Sequence, residues 1–394
     1  MWTFVATDRL ARPLGELRGF RGERVLRFPL SKTPTFSFTL DAEAPLAGAV
    51  LLDDLTMVKA MDDAGGSREI RLLGPVVSHE KVRNADGGTI AAVAGGPQTR
   101  LARRLIGRSA DGFSTTGGLD HAVIAGQIID ALSAGALGLM NTLKDDTGIR
   151  VGTITPTGIT APVGPWRYKV AADALAEMAA VLDGYEWEVA PVAPVADALG
   201  VKIGEFNCGP ILGQLRPDVV WEFGTGQRNV AEWRDVGDTS SLANAAVNLP
   251  ANFPTSGDPV VSAGDAASRA LRGLNETVVD ADLQTTELRQ LLVSEHVRIR
   301  SRPRRVISFT PTVQDDPPAG EPRRVPRFGV EYGVGDIMRL RCVEPVPIID
   351  PATGAVSGYR DQTTIDALFR VYVVTVTLDE QDAQRVDLTL IEET

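Results

Sequence analysis

The chain has 394 residues, 43% of them hydrophobic, and a formal net charge of −11 from 40 Lys and Arg against 51 Asp and Glu. At about 100–200 residues per domain this length implies roughly two to four domains, and the apolar content excludes a disordered chain. The acidic balance excludes duplex nucleic acid as a partner of the whole surface, and two cysteines, Cys208 and Cys342, exclude a disulfide framework and a four-cysteine zinc site.

The opening segment, MWTFVATDRLARPLGELRG, is interrupted by Asp8 and Glu16 and has no apolar h-region, so no secretory signal is expected. No run reaches the ~20 apolar residues of a membrane span. Synthesis in a cytoplasm without membrane insertion is the expectation. Residues 1–110 read as β. TPTFSFTLDAE alternates Phe36 and Phe38 with polar neighbours, as a strand with one buried face does. LTMVKAMDDAGGSREIRLLGPVVSHEKVRNADGGTIAAVAG adds three strand-like runs separated by Gly65-Gly66 and Gly87-Gly88, which supply the positive φ of tight hairpins. An antiparallel meander of this kind fits a small barrel or sandwich.

Residues 111–235 read as mixed α and β. LDHAVIAGQIIDALSAG places Ala125, Ile128, Ile129 and Leu132 on one helical face. In YKVAADALAEMAAVLDG, Ala171, Leu175, Met178 and Leu182 are spaced 4, 3 and 4, with Gly184 placed to end the helix. YEWEVAPV and PDVVWEFG read as strands on either side of a Pro-rich stretch, residues 191–217. Residues 236–296 read as a connecting region containing a third helix, TTELRQLLVSEHV, striped by Leu288, Leu291 and Leu292.

Residues 297–394 return to β, with strand candidates in RVISFTPTV, DIMRLRCVE, LFRVYVVTVTL and QRVDLTLIEE. Val386, Leu388 and Leu390 alternate with polar residues, and the polar DEQDAQ predicts a hairpin between the last two strands. Residues 311–327 and 344–366 read as long loops, which on a β scaffold more often bind than merely connect. The predicted fold class is α+β, mostly β: two small antiparallel β-barrel domains flanking a mixed α/β region. No short tandem repeat is present.

Catalytic patterns are missing. His79, His121 and His296 form no metal or nucleophile–base motif, and each reads as an ordinary surface or packing histidine. There is no Gly-x-Ser-x-Gly elbow, and 51 acids offer too many carboxylate pairs for spacing to select one. EFGTGQRNVAEW has Asn229 where a dinucleotide fingerprint needs its third glycine, and no helical stripe follows. EYGVGDIMRLRCVE reads as a sharp turn into a strand, with Asp336 bonding backbone amides and Cys342 on the face of Leu340. No catalytic, cofactor-binding or metal-binding residue is predicted, and no enzymatic activity is expected.

One charge pattern stands out. In VRIRSRPRRVISF, Arg298, Arg300, Arg302 and Arg304 recur at period two, so a strand would place all four on one face. Residues 298–341 carry a local +5, against −16 for the remainder. Two readings stand: an exposed strand face kept soluble by charge, or a basic seam that docks an acidic neighbouring subunit through bidentate arginine contacts. Nucleic acid ranks third, because no aromatic residues interleave to stack bases.

Taken in order, several segments resemble the tail hub proteins, or minor tail proteins, of long-tailed phages (siphophages), which share a fold with the hub of contractile-tail baseplates. The segments are PTFSFTLDAEAPLAGAVL, IRLLGPVVSHEKV, LARRLI, WEFGTGQRNVAEWRDVGDTSSLANAAVNL, TELRQLLVSEHVRIRSRPRRVISF, YGVGDIMRLR and RVYVVTVTLDEQDAQRVDLTL, together spanning most of the chain. The resemblance implies a virion protein at the phage tail tip, made in the bacterial host cytoplasm. It implies a homotrimer whose subunits each give two β-barrels to a pseudo-sixfold ring. Such a ring docks on a hexameric distal tail protein and surrounds the channel crossed by the tape measure protein and by DNA as passing cargo. Fibres or a plug at the tip would be other proteins, and no cofactor is implied. On this reading the arginine seam is a subunit interface and acidic loops line the channel. Alternatives are a distal tail adaptor forming a hexamer, a tail-associated cell-wall hydrolase, or a glycan-binding tail protein.

Overall fold

Alternation of apolar and polar residues shapes the first third of the computed structural model. The model describes residues 1–51, 56–63, 68–84, 87–106, 115, 118–134, 147–160, 162–164, 166–196, 200–224, 228–238, 242–250, 259–279, 285–302, 304–312, 325–351 and 353–392. Strands β1 (Trp2–Asp8), β2 (Pro13–Glu16), β3 (Arg24–Pro29) and β4 (Thr35–Asp41) lead through a one-turn helix, α1 (Ala47–Val50), into the meander β5 (Thr56–Asp62), β6 (Glu69–Asn84) and β7 (Gly87–Gly95). Phe36, Phe38 and Leu40 point inward from β4 as the pattern predicts. Phe36 stacks on Phe4 with ring centroids 4.6 Å apart. The predicted Gly65-Gly66 turn lies outside the described residues.

The middle of the chain contributes β8 (Leu105–Ile106), α2 (His121–Ala134), β9 (Ile149–Ile154), β10 (Lys169–Val170), α3 (Ala171–Ala179), β11 (Glu186–Ala196) and β12 (Val201–Gly209). Ala125, Ile128, Ile129 and Leu132 of α2 are buried, as are Ala171, Leu175 and Met178 of α3. The second helix is shorter than its spacing suggests. It stops at Ala179, the chain turns at Asp183 with φ 55°, and the Leu182 N–H donates to the Leu291 carbonyl at 3.2 Å. Strand β12 lies inside the Pro-rich stretch 191–217, between the two strands expected there. It pairs antiparallel with β11 and parallel with β9. The β11 prolines are accommodated where its register with β12 shifts, between Pro191 and Val195, a position at which a missing N–H is tolerated.

The remaining elements are β13 (Leu215–Phe223), β14 (Val230–Asp238), β15 (Ala245–Asn248), β16 (Val261–Gly264), α4 (Ala266–Arg272), β17 (Glu276–Val278), α5 (Thr286–Arg300), β18 (Arg304–Pro311), β19 (Ile337–Ile349), β20 (Val356–Leu378) and β21 (Gln384–Glu392). Among the described residues thirteen strands join one sheet, along the path β14-β18-β21-β20-β3-β4-β7-β6-β5-β1-β2, with β13 and β19 attached beside β20. The fold is α+β and mostly β, as predicted. Its pairings among the described residues close no barrel. The two terminal β regions meet where β20 pairs antiparallel with β3, and they share one apolar core that runs from Trp2 through Trp221 to Leu390. A second core packs α2 and α3 around Trp187 and Phe206, and a third sets Val293 and Val297 of α5 against Ala246 and Val261.

The stretch 344–366 is not a loop. Beyond Cys342, where pairing of β19 with β13 ends, β19 and β20 continue alone as a two-stranded ribbon. Pro345 and Pro347 mask it in the sequence, because prolines argue against a central strand yet are compatible with a free edge.

Candidate functional site

The turn before β19 joins the middle of the chain to the large sheet. Asp336 is buried there, 4% exposed. Its Oδ2 accepts the Gly333 N–H at 2.8 Å and its Oδ1 accepts the Gln214 N–H at 2.7 Å, while Arg216 Nε donates to Oδ2 at 3.2 Å. The sequence-predicted role of Asp336 is therefore met, and the Gln214 and Arg216 contacts extend it to a distant segment. Gly335 (φ +91°) and Gly213 (φ +90°) let the two turns touch backbone to backbone. A Cβ on Gly335 would sit 2.5 Å from the Leu212 carbonyl oxygen, and one on Gly213 would sit 2.3 Å from the Gly335 carbonyl carbon.

Arg370 of β20 locks the same junction. Its two terminal nitrogens grip the Glu186 carboxylate of β11, its Nε donates to the Gly335 carbonyl at 3.0 Å, and Nη2 donates to the Leu212 carbonyl at 2.6 Å. Glu186 also accepts the Leu212 N–H at 2.8 Å. Neither Arg370 nor Glu186 is marked in the sequence by any motif, since their partners lie far off along the chain. Beside the lock opens a cleft of about 770 Å³ whose lining includes Lys32, Tyr185, Trp187, Tyr372 and Glu392. No histidine or cysteine lines it among the described residues.

The histidines weighed for chemistry are spread over three separate elements. His79 lies exposed in β6, His121 is buried at the start of α2, and His296 sits half-buried in α5. Burial, then the nearby Arg300 charge, lowers the His296 pKa from its ordinary 6.5. Among the described residues no group of three or more His, Cys, Asp and Glu is arranged to hold a metal ion. Asn229, where a fingerprint glycine would stand, accepts the Glu222 N–H at 2.7 Å and donates to the Val220 carbonyl at 2.9 Å, stitching β13 to the start of β14.

Cys208 and Cys342 are free and buried. Burial pushes both thiols up to about 12, with smaller upward pushes from Asp120 on Cys208 and Glu344 on Cys342. A thiol raised above its unfolded value, roughly 8.5, stabilises the fold below that value, and the contribution is lost as pH rises toward the folded one. A thiol reagent at pH 8 is expected to label neither cysteine in the native protein and both in denaturant. Fast native labelling of either would show that it is not packed as described.

The arginine segment does not form a strand face. Helix α5 continues through Arg300 and ends at Ser301, whose N–H donates to the Val297 carbonyl at 2.7 Å. Along a helix, residues two apart lie about 200° around the axis, so Arg298 and Arg300 diverge. Burial decides the matter: Val293 and Val297, four residues apart, extend the apolar stripe of α5 into the segment. The last-turn arginines also suit the negative helix terminus. Arg298 folds back onto Glu295 with bonds of 2.6 and 2.8 Å. Arg300 and Arg302 are exposed, and Arg304 opens β18, its side chain lying outside the described residues.

Two further arginines, Arg269 and Arg272 of α4, belong with them. Ser268 Oγ donates to the Ser301 carbonyl, and the Ala243 N–H donates to the Arg300 carbonyl at 3.0 Å. Asp265 caps α4. The Ser268 N–H, then Ser301, hold its carboxyl below the usual range, and Arg302 adds to this from nearby. Nothing in the sequence marks Arg269 and Arg272, because AASRALR shows no pattern by itself.

The whole fold compares with phage tail proteins. It matches the tail protein from Neisseria meningitidis MC58 with a TM-score of 0.54 at 13% identity, over 99% of this chain and 97% of that one. It matches the 43 kDa tail protein of prophage MuSo2 from Shewanella oneidensis with a TM-score of 0.53 at 13% identity, over 99% and 98%. Prophage tail protein gp18 from Listeria monocytogenes EGD-e gives 0.49 at 10% identity, over 99% and 94%. No family model matches the chain, and no curated protein matches its sequence. The fold is that of phage tail proteins, a likeness of architecture rather than of sequence.

Proposed function

We propose that this chain is a structural protein of a phage tail, and more specifically a hub ring at the tail tip. The observation that carries the reading is the likeness to two phage tail proteins over 97% and 98% of their own lengths. The absence of a nucleophile–base motif in the sequence favours a structural part over a hydrolase.

In this role three copies form a ring that docks on the distal tail protein, carries tip fibres or a plug, and surrounds the channel for tape measure protein and DNA. A net charge of −11 suits a conduit, because it repels phosphates rather than gripping them. Of the four arginines of the seam, exposed Arg300 and Arg302 are the ones turned to a neighbouring subunit, whereas Arg298 pairs with Glu295 and lines the cleft within the chain. Native mass measurement of the purified protein is expected to give three copies. Six copies would instead favour the distal tail adaptor. Labelled particles viewed by electron microscopy should carry the label at the tail tip, and label elsewhere ends the hub reading.

A further inference from the structure

We propose that the β19–β20 ribbon of one copy docks its apolar face onto the arginine-and-leucine patch formed by α4 and the end of α5 in the next copy. The proposal rests on the ring reading above and specifies how its subunits join.

The ribbon is built for a partner. A lone two-stranded ribbon is marginal in water, yet pairing runs in register from Val343–Thr363 through Pro347–Tyr359 to Ile348–Gly358 and resumes, after a shift, at Ile349–Val356. Tyr359 stands across from Pro347 and Asp361 from Pro345, so these four share a face that Ile349 and Val356 extend toward the tip. Tyr359 is 67% exposed, Ile349 and Val356 52% each. Asp361 is exposed, and Arg360, next along the strand, points to the opposite face. Pro345 and Pro347 lack the N–H that strand addition along that edge would use, so the face is the better means of attachment.

The patch has the complementary character. Leu271, Leu274 and Val278 are exposed by 79%, 53% and 59%. Arg269 and Arg272 lie on α4, and Arg300 and Arg302 at the end of α5, which the Ser268–Ser301 bond ties to α4; the acids here are Asp265, beside Arg302, and exposed Glu276, between Leu274 and Val278, so arginines stay in excess. An acidic, tyrosine-bearing apolar face suits such a surface, since guanidinium groups stack on aromatic rings and pair with carboxylates. Ribbon and patch are both uncovered in the single chain, so they do not satisfy each other within one copy. A contact between unlike patches of identical chains is head-to-tail, and a suitable rotation closes it into a ring.

The test uses the full chain. Tyr359→Cys and Leu271→Cys are combined and oxidised under native conditions, the two native thiols being buried. A covalent ladder ending at the copy number of the ring is expected, and neither single variant should produce it. Arg269→Glu with Arg272→Glu should weaken assembly by about tenfold or more, and adding Asp361→Arg should recover part of the loss. Replacing residues 346–359 by a short glycine turn should abolish the ring while the sheet still unfolds cooperatively. A ring that survives this deletion, or a dimer cross-linked by Tyr359→Cys alone, overturns the docking and leaves the ring reading in place. A parent chain that stays monomeric at every concentration overturns both. If the shortened variant fails to fold, the cross-linking and charge variants still decide.

Discussion

Arg370→Leu is expected to cost about 3–5 kcal/mol, the largest loss from any single substitution at the junction. The magnitude follows from what is left behind. Arg370 and Glu186 are 12% and 21% exposed, so solvent screens the pair little, and removing the guanidinium strands a carboxylate with only the Leu212 N–H. The Gly335 and Leu212 carbonyls lose their donor as well. Denaturant unfolding should show a lower midpoint. A double-mutant cycle with Glu186→Leu should give a coupling of about 2 kcal/mol. Additive losses would mean that the two side chains act independently. Because Arg370 lies in the large sheet and Glu186 in the middle region, the proposed ring would also assemble in lower yield from this variant.

Asp336→Ala is expected to cost about 3 kcal/mol. It leaves the part-buried Gly333 and Gln214 N–H groups without their acceptor, and an unsatisfied donor costs roughly 1–3 kcal/mol, least where water can reach it. The Arg216 contact adds less, since that side chain is 35% exposed. Asp336→Asn keeps one acceptor oxygen and should lose about half as much. Unfolding of the alanine variant at the midpoint of the parent would show that the carboxylate does not hold the turn. Gly335→Ala supplies an independent check on the same corner, because its Cβ would press on the Leu212 carbonyl at a positive φ.

Much of the element list was legible because its causes are local. Phe36 and Phe38 alternate because one face of β4 is buried, and Ile128 and Ile129 recur with the turn of α2 because one face of that helix is buried. The corner at Gly335 and Asp336 could be read for the same reason, since glycine permits the turn and a short carboxylate reaches nearby amides. The ribbon could not. Exposed on both faces, its residues 344–349 and 356–364 have no core to impose alternation, so prolines and charges made them look like a loop. The arginines misled in the opposite way. A period of two on solvent-facing side chains imitates a strand, and the telling residue was the buried Val297, four positions after Val293.

The strands with one buried face, the helices α2, α3 and α5, the acidic balance, the turn at Asp336 and the buried character of Cys342 were determined by the amino-acid sequence, because each depends on neighbours within a few residues or on composition. Tertiary structure alone decided that β20 pairs with β3, that Arg370 finds Glu186, and that Ser268 of α4 bonds Ser301 at the end of α5. Those contacts join residues far apart along the chain, and strand pairing and ion pairing leave no periodic trace in the segments they connect.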